Sequence, residues 1–282
     1  MFKSGLVLEG GGTRAIFTSG VLDAFIENNI EFPYVIGVSA GSCNAVSYIA
    51  KNLHRQRDIT LNYVNDKRYM SSSSLFFNGE YTNYDWIFGE LAYDIMPLDQ
   101  DAFDKASCRF LCAVTNAVTG KPEYLAPKTM RRRGCPALRA SCALPIAAKG
   151  VRINNRLYFD GGITDSIPVK RAFKDGCEKC VVILTQDADY IKQPIKIKPL
   201  LDLYYSKYPK LIDAMASRHE MYNEQLKLVR HYEEEGRIFV IRPKAPLNCQ
   251  TLEKNRAKLE KIYDAGYEQG IESIEKIKEF LK

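Results

Sequence analysis

The 282 residues of the chain are 46% apolar and 26% charged, the proportions of an ordinary globular protein with one sizeable core. Lys and Arg number 40 against 34 Asp and Glu, so the net charge of +6 mildly favours anionic partners such as phospholipid headgroups or nucleic acid. No run approaches the roughly 18 to 20 consecutive apolar residues of a membrane-spanning helix, so any membrane contact is expected to be peripheral.

The N-terminus leads directly into a short apolar strand, without the long apolar segment and cleavage site of a secretory signal. A cytoplasmic protein is therefore expected, and its eight cysteines are expected to be free thiols. The pairs Cys108/Cys112 and Cys177/Cys180 have spacings found in metal and redox sites. Because no second Cys/His pair completes a zinc site, we expect structural cysteines, no metal and no cofactor.

Short β-type runs alternate with helical or loop segments over the first 185 residues. This alternation predicts an α/β fold with three layers, α/β/α, around a mostly parallel central sheet. Strands are predicted at residues 6–8, 34–38, 109–115, 157–159, 181–185 and 238–242. Helices are predicted at residues 13–27, 42–53 and 252–281. The chain is expected to form a single domain, 1–282, with a catalytic core at about residues 5–185 and a C-terminal extension at about 186–282.

Residues 189–209 combine basic and large apolar side chains. The lysines of this segment are Lys192, Lys196, Lys198 and Lys207. Such interleaving suits a lid or a surface that faces a membrane. A solvated loop and helix with an apolar inner face explains the same pattern, and the sequence leaves both interpretations open. Residues 54–107, which are less periodic, are the other candidate for a lid.

Three consecutive glycines follow the first predicted strand. Residues 9–14 read Glu-Gly-Gly-Gly-Thr-Arg, so Gly10, Gly11 and Gly12 place unhindered backbone N–H groups at the start of a helix. Such donors suit the oxyanion hole of a tetrahedral acyl intermediate, and Arg14 adds a fixed positive charge nearby. A nucleotide-binding turn is the alternative, but the spacing fits neither the dinucleotide nor the P-loop pattern. We therefore expect no nucleotide cofactor and no nucleic-acid partner.

A serine flanked by glycines follows the second predicted strand. Residues 37–41 read Gly-Val-Ser-Ala-Gly, the nucleophile-elbow pattern, which requires a strand before it and a helix after it. The glycines permit the sharp turn, so Ser39 would present its hydroxyl beside a helix N-terminus that favours negative charge. By itself this pattern fits an ordinary tight turn equally well. The strand and the helix on either side favour a nucleophile.

An acidic residue and two glycines follow the strand predicted at residues 157–159. Taken alone, Asp160-Gly161-Gly162 predicts an ordinary β-turn. Together with the serine and the glycine turn, Asp160 supplies the base that an activated nucleophile requires.

The histidine content bears on the choice of mechanism. His54, His219 and His231 all lie in polar or basic segments and are expected at the protein surface. A catalytic triad needs a histidine in a loop beyond the acidic residue. A Ser39/Asp160 dyad is therefore favoured over a triad.

These motifs resemble those of the patatin-like phospholipase family, whose catalytic core is shared in outline with cytosolic phospholipase A2. Four segments match in family order: residues 10–14, 37–41, 140–145 and 160–162. The third of them, Ala-Ser-Cys-Ala-Leu-Pro, looks like the Ala-Ser-x-Ala-x-Pro segment of the family. The resemblance covers about residues 5–169, and the C-terminal third matches only in general character. Ala15 departs from the family pattern, which usually has glycine after the arginine.

The resemblance implies a patatin-like fold and hydrolysis of fatty-acyl esters, with phospholipids or lysophospholipids as substrates. Asp160 would accept the proton of Ser39, the N–H groups of residues 10–12 would hold the oxyanion, and Arg14 would contact the substrate. We expect burial to adjust the pKa of the aspartate to this task. A small-ester esterase, an acyltransferase with the same dyad and a non-catalytic lipid-binding protein are the alternatives.

Overall fold

The computed structural model describes residues 1–71, 74, 80–127, 129–131, 135–195 and 198–282. Strands of these residues form one sheet: β1 (Phe2–Leu8), β2 (Tyr34–Val38), β3 (Arg109–Asn116), β4 (Pro122–Leu125), β5 (Val151–Ile153), β6 (Arg156–Asp160), β7 (Cys177–Ile183) and β8 (Ile238–Ile241). Their order across the sheet is β5-β6-β3-β2-β1-β7-β8, and β4 pairs with β3.

Strand direction divides the sheet into two parts. The neighbours β3, β2, β1, β7 and β8 are parallel, whereas β4, β5 and β6 form antiparallel pairs on one side. The predicted α/β class with a mostly parallel sheet is confirmed. β4 and β5 are absent from the predicted strands because they are short, mixed in polarity and only partly buried. β7 begins at Cys177 and ends at Ile183, so the strand predicted at residues 181–185 is placed too late.

Helices of the described residues are α1 (Ile16–Glu27), α2 (Ala40–Ile49), α3 (Arg55–Tyr63), α4 (Tyr84–Trp86), α5 (Gln100–Lys105), α6 (Pro136–Cys142), α7 (Val169–Lys174), α8 (Lys198–Tyr205), α9 (Pro209–Ala216), α10 (Arg218–Glu234) and α11 (Arg256–Phe280). A 3-10 turn, Gly12–Ala15, precedes α1, another, Gly161–Ile163, follows β6, and a π-helix, Ile87–Ile95, continues α4. Within the described ranges, no helix is both long and apolar enough to cross a membrane.

Helices cover both faces of the sheet, which is why its central strands are apolar on both sides. In β1, Leu6 and Leu8 pack on the face covered by α1, α2 and α11, whereas Val7 packs on the opposite face with α7 and α10. This division follows the two-residue repeat of a strand. The three predicted layers are therefore present.

The C-terminal helix α11 crosses α1 at very short range. An added Cβ at Gly266 would lie 2.1 Å from the carbonyl oxygen of Phe17, and one at Gly20 would lie 2.2 Å from that of Tyr263. Only glycine permits the two backbones to approach in this way, so the C-terminal part is packed directly against the first helix. The organisation of the chain as a single domain stays a prediction.

Candidate active site

Strand pairing brings the predicted serine and aspartate to the same edge of the sheet. Val38 of β2 pairs with Ala113 of β3, and the next residue of β3, Val114, pairs with Asp160 on its other side. Because Ser39 follows Val38, Ser39 and Asp160 flank β3 at the same level. The side chains of Ser39 and Asp160 line the same cavity, close enough for Ser39 to act on the pKa of the Asp160 carboxyl.

Ser39 occupies the turn between β2 and α2 in a strained backbone conformation. Its φ of 53° and ψ of −127° lie in a region that residues other than glycine rarely adopt. Such strain persists only where the surrounding structure holds it. The strand, the turn and the helix together have the form of a nucleophile elbow.

A buried hydroxyl, that of Ser141 in α6, holds this turn in place. Ser141 Oγ accepts a hydrogen bond from the Ser39 N–H at 2.9 Å and donates one to the carbonyl oxygen of Ala113 at 2.7 Å. Ser141 is not among the predicted site residues, although the family-like segment at residues 140–145 contains it. The structure thus connects that segment to the elbow through one side chain.

Asp160 is 5% exposed at the end of β6. Its Oδ1 accepts the N–H of Gly162 at 2.7 Å. Burial raises the pKa of the Asp160 carboxyl, while the charge of Arg218 and the hydrogen bonds from Ser39 and Gly162 act in the opposite direction. A carboxylate with a raised pKa is a better proton acceptor near neutral pH. The expected effect of burial on this aspartate is confirmed.

The glycine loop lies between β1 and α1, directly beside Ser39. An added Cβ at Gly10 would lie 3.0 Å from the Cβ of Ser39, and Gly12 has a φ of +58°, which glycine adopts without strain. No acceptor in the described part of the chain binds the N–H groups of the three glycines. The following N–H, of Thr13, donates to the carbonyl oxygen of Thr251 at 2.9 Å. The loop therefore presents backbone donors close to the serine.

Glu9, immediately before the glycines, is a buried acid that anchors the loop. Its Oε2 accepts hydrogen bonds from the N–H and the hydroxyl of Thr185 at 2.6 and 3.1 Å, and its Oε1 accepts one from the Tyr222 hydroxyl at 2.6 Å. Burial raises the pKa of Glu9, although these hydrogen bonds oppose the effect. Glu9 joins the loop to the residues after β7 and to α10, and it is not among the predicted site residues.

Arg14 connects the glycine loop to the segment that precedes α11. Its Nη1 donates to the carbonyl oxygen of Cys249 at 3.3 Å and to Thr251 Oγ1 at 3.1 Å. Its Nε is buried and has no hydrogen-bond partner within the described residues. Arg14 also lines the cavity that contains Ser39. Its contact with a substrate stays a prediction.

Cavities of different character meet at Ser39. The largest of them, of about 240 Å³, is called the polar cavity because charged side chains, among them that of Asp160, line it together with Ser39 and the glycine loop. The first apolar cavity, of about 100 Å³, also reaches Ser39, and the second, of about 80 Å³, extends to Leu91 and Leu138. The two apolar cavities are both lined by Tyr69, Ile87 and Phe88. The serine therefore lies between a polar and an apolar compartment.

The histidines form hydrogen bonds and ion pairs with groups other than Ser39 and Asp160. His54 has a side chain only 34% exposed and contacts an aspartate of α1 and a tyrosine of α11. His219 contacts the preceding turn and is 25% exposed, whereas His231 is 60% exposed and pairs with the glutamate immediately after α10. The expectation of a surface position is confirmed for His231, whereas His54 and His219 are partly exposed.

All eight cysteines are free thiols. Cys112 is buried in β3, as predicted, and Cys177 and Cys180 are buried in β7. Over the described ranges, no group of three or more His, Cys, Asp and Glu side chains could hold a metal ion.

Among the described residues of the segment 189–209, one side chain lies at the site. Lys192 lines the polar cavity, while Lys196 and the side chain of Lys198 lie outside the described residues. In α8, Leu201 is buried and Leu203 is 72% exposed. Both an apolar inner face and an exposed apolar side chain are therefore present, and the role at a membrane stays a prediction.

An α/β sheet with a serine at a strained strand-to-helix turn, beside a buried acid and glycine amides, has the architecture of a serine hydrolase. The family model of the patatin-like phospholipases matches residues 6–173, and a domain of unknown function, DUF6363, matches residues 208–282. The chain belongs to the patatin-like phospholipase family and is a lipid acyl hydrolase. The resemblance found in the sequence is confirmed.

Two further proteins are similar to this chain. The uncharacterized protein YjjU of Escherichia coli K12 is 30% identical over 268 residues, which cover 93% of this chain and 74% of YjjU. The crystal structure of VipD from Legionella pneumophila matches with a TM-score of 0.50 and 12% identity, over 97% of this chain and 67% of VipD. At that identity, the likeness to VipD shows the fold alone.

Proposed function

We propose that the protein hydrolyses fatty-acyl esters of phospholipids or lysophospholipids, with Ser39 as nucleophile and Asp160 as general base. The observation that carries this proposal is that Ser39 and Asp160 line one cavity, with the serine close enough to act on the pKa of the aspartate, and that an apolar cavity also reaches Ser39. Membership of the family supplies the reaction class, and the free N–H groups of the glycine loop, within the described part of the chain, support the same chemistry.

In the first half-reaction, Ser39 Oγ attacks the carbonyl carbon of the ester and its proton passes to the Asp160 carboxylate. The carbonyl oxygen becomes negatively charged and accepts hydrogen bonds from the N–H groups of residues 10–12. The bond between the carbonyl carbon and the alcohol oxygen then breaks, and Asp160 gives its proton to the leaving alcohol. The product of this step is an acyl-serine.

In the second half-reaction, a water molecule loses a proton to Asp160 and attacks the carbonyl carbon of the acyl-serine. The same backbone donors stabilise the second oxyanion. The bond to Ser39 Oγ breaks, the proton held by Asp160 returns to that oxygen, and the fatty acid leaves. One carboxylate therefore serves both half-reactions without a histidine.

The two apolar cavities offer an acyl group a path that leads away from Ser39 into the protein. They begin at Ser39 and extend past Phe88 to the fully buried Leu91. Each methylene that enters such a compartment contributes about 0.8 kcal/mol of burial. This observation favours a lipid hydrolase over the small-ester esterase among the alternatives.

A fluorophosphonate probe tests the nucleophile. Wild type and Ser206→Ala, which changes an exposed serine outside the site, should both be labelled, whereas Ser39→Ala should not. Release of free fatty acid from a lysophospholipid should follow the same pattern. Labelling of Ser39→Ala at the wild-type rate would contradict the assignment of the nucleophile. If wild type reacts with the probe, but the unlabelled protein binds lysophospholipid without releasing fatty acid, the proposed hydrolysis would be contradicted.

A further inference from the structure

Three basic side chains line the polar cavity together with Ser39. Arg14 belongs to the turn before α1, Lys192 to the segment after β7, and Arg218 to the first turn of α10. The family motifs include Arg14 alone. Lys192 lies between the two ranges that family models match, and Arg218 lies within the range matched by the domain of unknown function. Most of this positive charge is thus unexplained by the motifs.

The contacts of these three side chains are to neutral groups. Arg218 Nε donates to the carbonyl oxygen of Gly162 at 2.6 Å, and Lys192 Nζ lies 4.8 Å from the centre of the Tyr222 ring. Arg14 donates to a carbonyl and a hydroxyl group before α11. Salt bridges between described residues include none of the three. Their charges are therefore available to a bound anion.

The acids in the cavity wall offset this charge only in part, because two acids face three cations. Within the described lining they are Glu9 and Asp160, and burial raises the pKa of both. Glu9 already accepts hydrogen bonds through both oxygens. The pKa of Lys192 falls to about 8, first because of burial and also because Arg218 and Arg14 carry the same charge. An anion bound between these cations would relieve their repulsion.

We propose that Lys192 and Arg218, together with Arg14, bind a phosphate group carried by the alcohol half of the ester. This inference rests on the proposed function, because it takes Ser39 as the reacting group and the apolar cavities as the site of the acyl chain. The alcohol half then occupies the polar cavity. Guanidinium groups bind phosphate oxygens in pairs, and an ammonium adds a point charge. The substrate is accordingly an acyl ester with a phosphate headgroup rather than a neutral acylglycerol.

Arg218 is a specificity-determining residue supplied by the C-terminal part of the chain. An added Cβ at Gly162 would lie 3.2 Å from Arg218 Nη2 and 3.1 Å from Asp160 Oδ1. The second glycine after the aspartate therefore leaves room for the guanidinium beside the dyad. A side chain outside the catalytic motifs thus reaches the surroundings of the reacting atoms.

The test compares two esters of one acyl chain, 1-oleoylglycerol and 1-oleoylglycerol 3-phosphate, in micelles of a neutral detergent. Wild type is expected to have the higher kcat/KM for the phosphate ester. Lys192→Gln and Arg218→Gln should each lower the ratio of the two kcat/KM values about 10-fold, the effect of one charge-assisted hydrogen bond. Arg218→Lys, which keeps the charge, should lower the ratio less than Arg218→Gln does.

Lys227→Gln is the matched control, because Lys227 lies on α10, is exposed and pairs with Glu224. It should leave the ratio at its wild-type value, and an equal loss in this variant would indicate a general surface-charge effect and overturn the inference. A wild-type ratio near one would overturn the inference while leaving ester hydrolysis intact. Failure to hydrolyse either ester would contradict the proposed function as well. If Arg218→Gln does not fold, Lys192→Gln decides the outcome.

Inorganic phosphate distinguishes a headgroup site from a site for the free ion. Inorganic phosphate should inhibit the hydrolysis of 1-oleoylglycerol competitively, and it should inhibit Lys192→Gln less than wild type. This result, together with a preference for the phosphate ester, supports the headgroup site. Inhibition without that preference would assign these cations to a free ion and overturn the inference.

Discussion

The part of the chain matched by the patatin-like model and the C-terminal part contribute to the site in different ways. Residues 10–12, Ser39 and Asp160 lie in glycine-rich turns at strand ends, where the backbone conformation creates the reactive geometry. The C-terminal part contributes single groups, such as the Arg218 guanidinium and the Thr251 carbonyl. Short motifs therefore encode the reacting atoms, whereas isolated side chains from the C-terminal part define the surroundings of those atoms.

Replacement of Asp160 tests the contribution of the catalytic motifs and should have the largest effect. Asp160→Asn removes the proton acceptor of Ser39 and is expected to lower kcat about 10³-fold. Alanine at each histidine should leave most of the activity, because none of them bonds to the dyad. A folded but inactive His219→Ala would instead indicate a histidine-dependent mechanism.

Replacement of Gly266 tests whether the C-terminal part supports the fold. Gly266→Ala forces α11 away from the carbonyl oxygen of Phe17 and should lower the free energy of unfolding by about 2 kcal/mol, measured by urea denaturation. The control Gly89→Ala adds a Cβ where nothing lies within 4 Å, so a change of at most about 0.5 kcal/mol is expected. Alanine has a higher helix propensity than glycine, so Gly266→Ala would stabilise the protein if the two helices did not touch. A higher free energy of unfolding in this variant would therefore refute the close packing.

Replacement of Ser141 examines a residue whose segment matches the family but whose role only the contacts reveal. Ser141→Ala removes the acceptor of the Ser39 N–H and should lower kcat about 10-fold to 30-fold, with a smaller change in KM. Ser42→Ala removes a hydroxyl that contacts Ser141 Oγ at 3.1 Å and should lower kcat less. Equal losses in the two variants would show that Ser141 has no special role at the elbow.

A pH profile examines Lys192 and should show the smallest effect. The groups that face Lys192 are Glu9, Arg14, Arg218 and Tyr222. Because its pKa is lowered to about 8, the free enzyme loses this positive charge as pH rises through that value. The kcat/KM for lysophosphatidylglycerol, relative to 1-oleoylglycerol, should therefore fall about fivefold from about pH 7 to about pH 9. Lys192→Arg should remove this fall, since a guanidinium stays charged; an identical profile in this variant would exclude Lys192 as the cause.

Local pattern was a good guide to the longer apolar strands and a poor one to the short strands on the antiparallel side of the sheet. β2 has the predicted bounds of Tyr34 to Val38, because a short apolar run between turns is a strong strand signal. The helix predicted at residues 42–53 instead begins at Ala40 and ends at Ile49, since the elbow starts it immediately after Ser39. β4 and β5 were missed because their pairing with distant strands, rather than their own composition, makes them strands.

The sequence by itself determined the parallel α/β fold and the candidates Ser39, Asp160 and residues 10–12, because adjacent glycines and apolar runs encode turns and strands locally. Tertiary structure alone decided that β6 runs antiparallel to β3 and so sets Asp160 level with Ser39. It also decided that Ser141 and Arg218 reach the site. Such contacts join residues far apart in the chain, and no local pattern records which distant side chains a folded backbone will bring together.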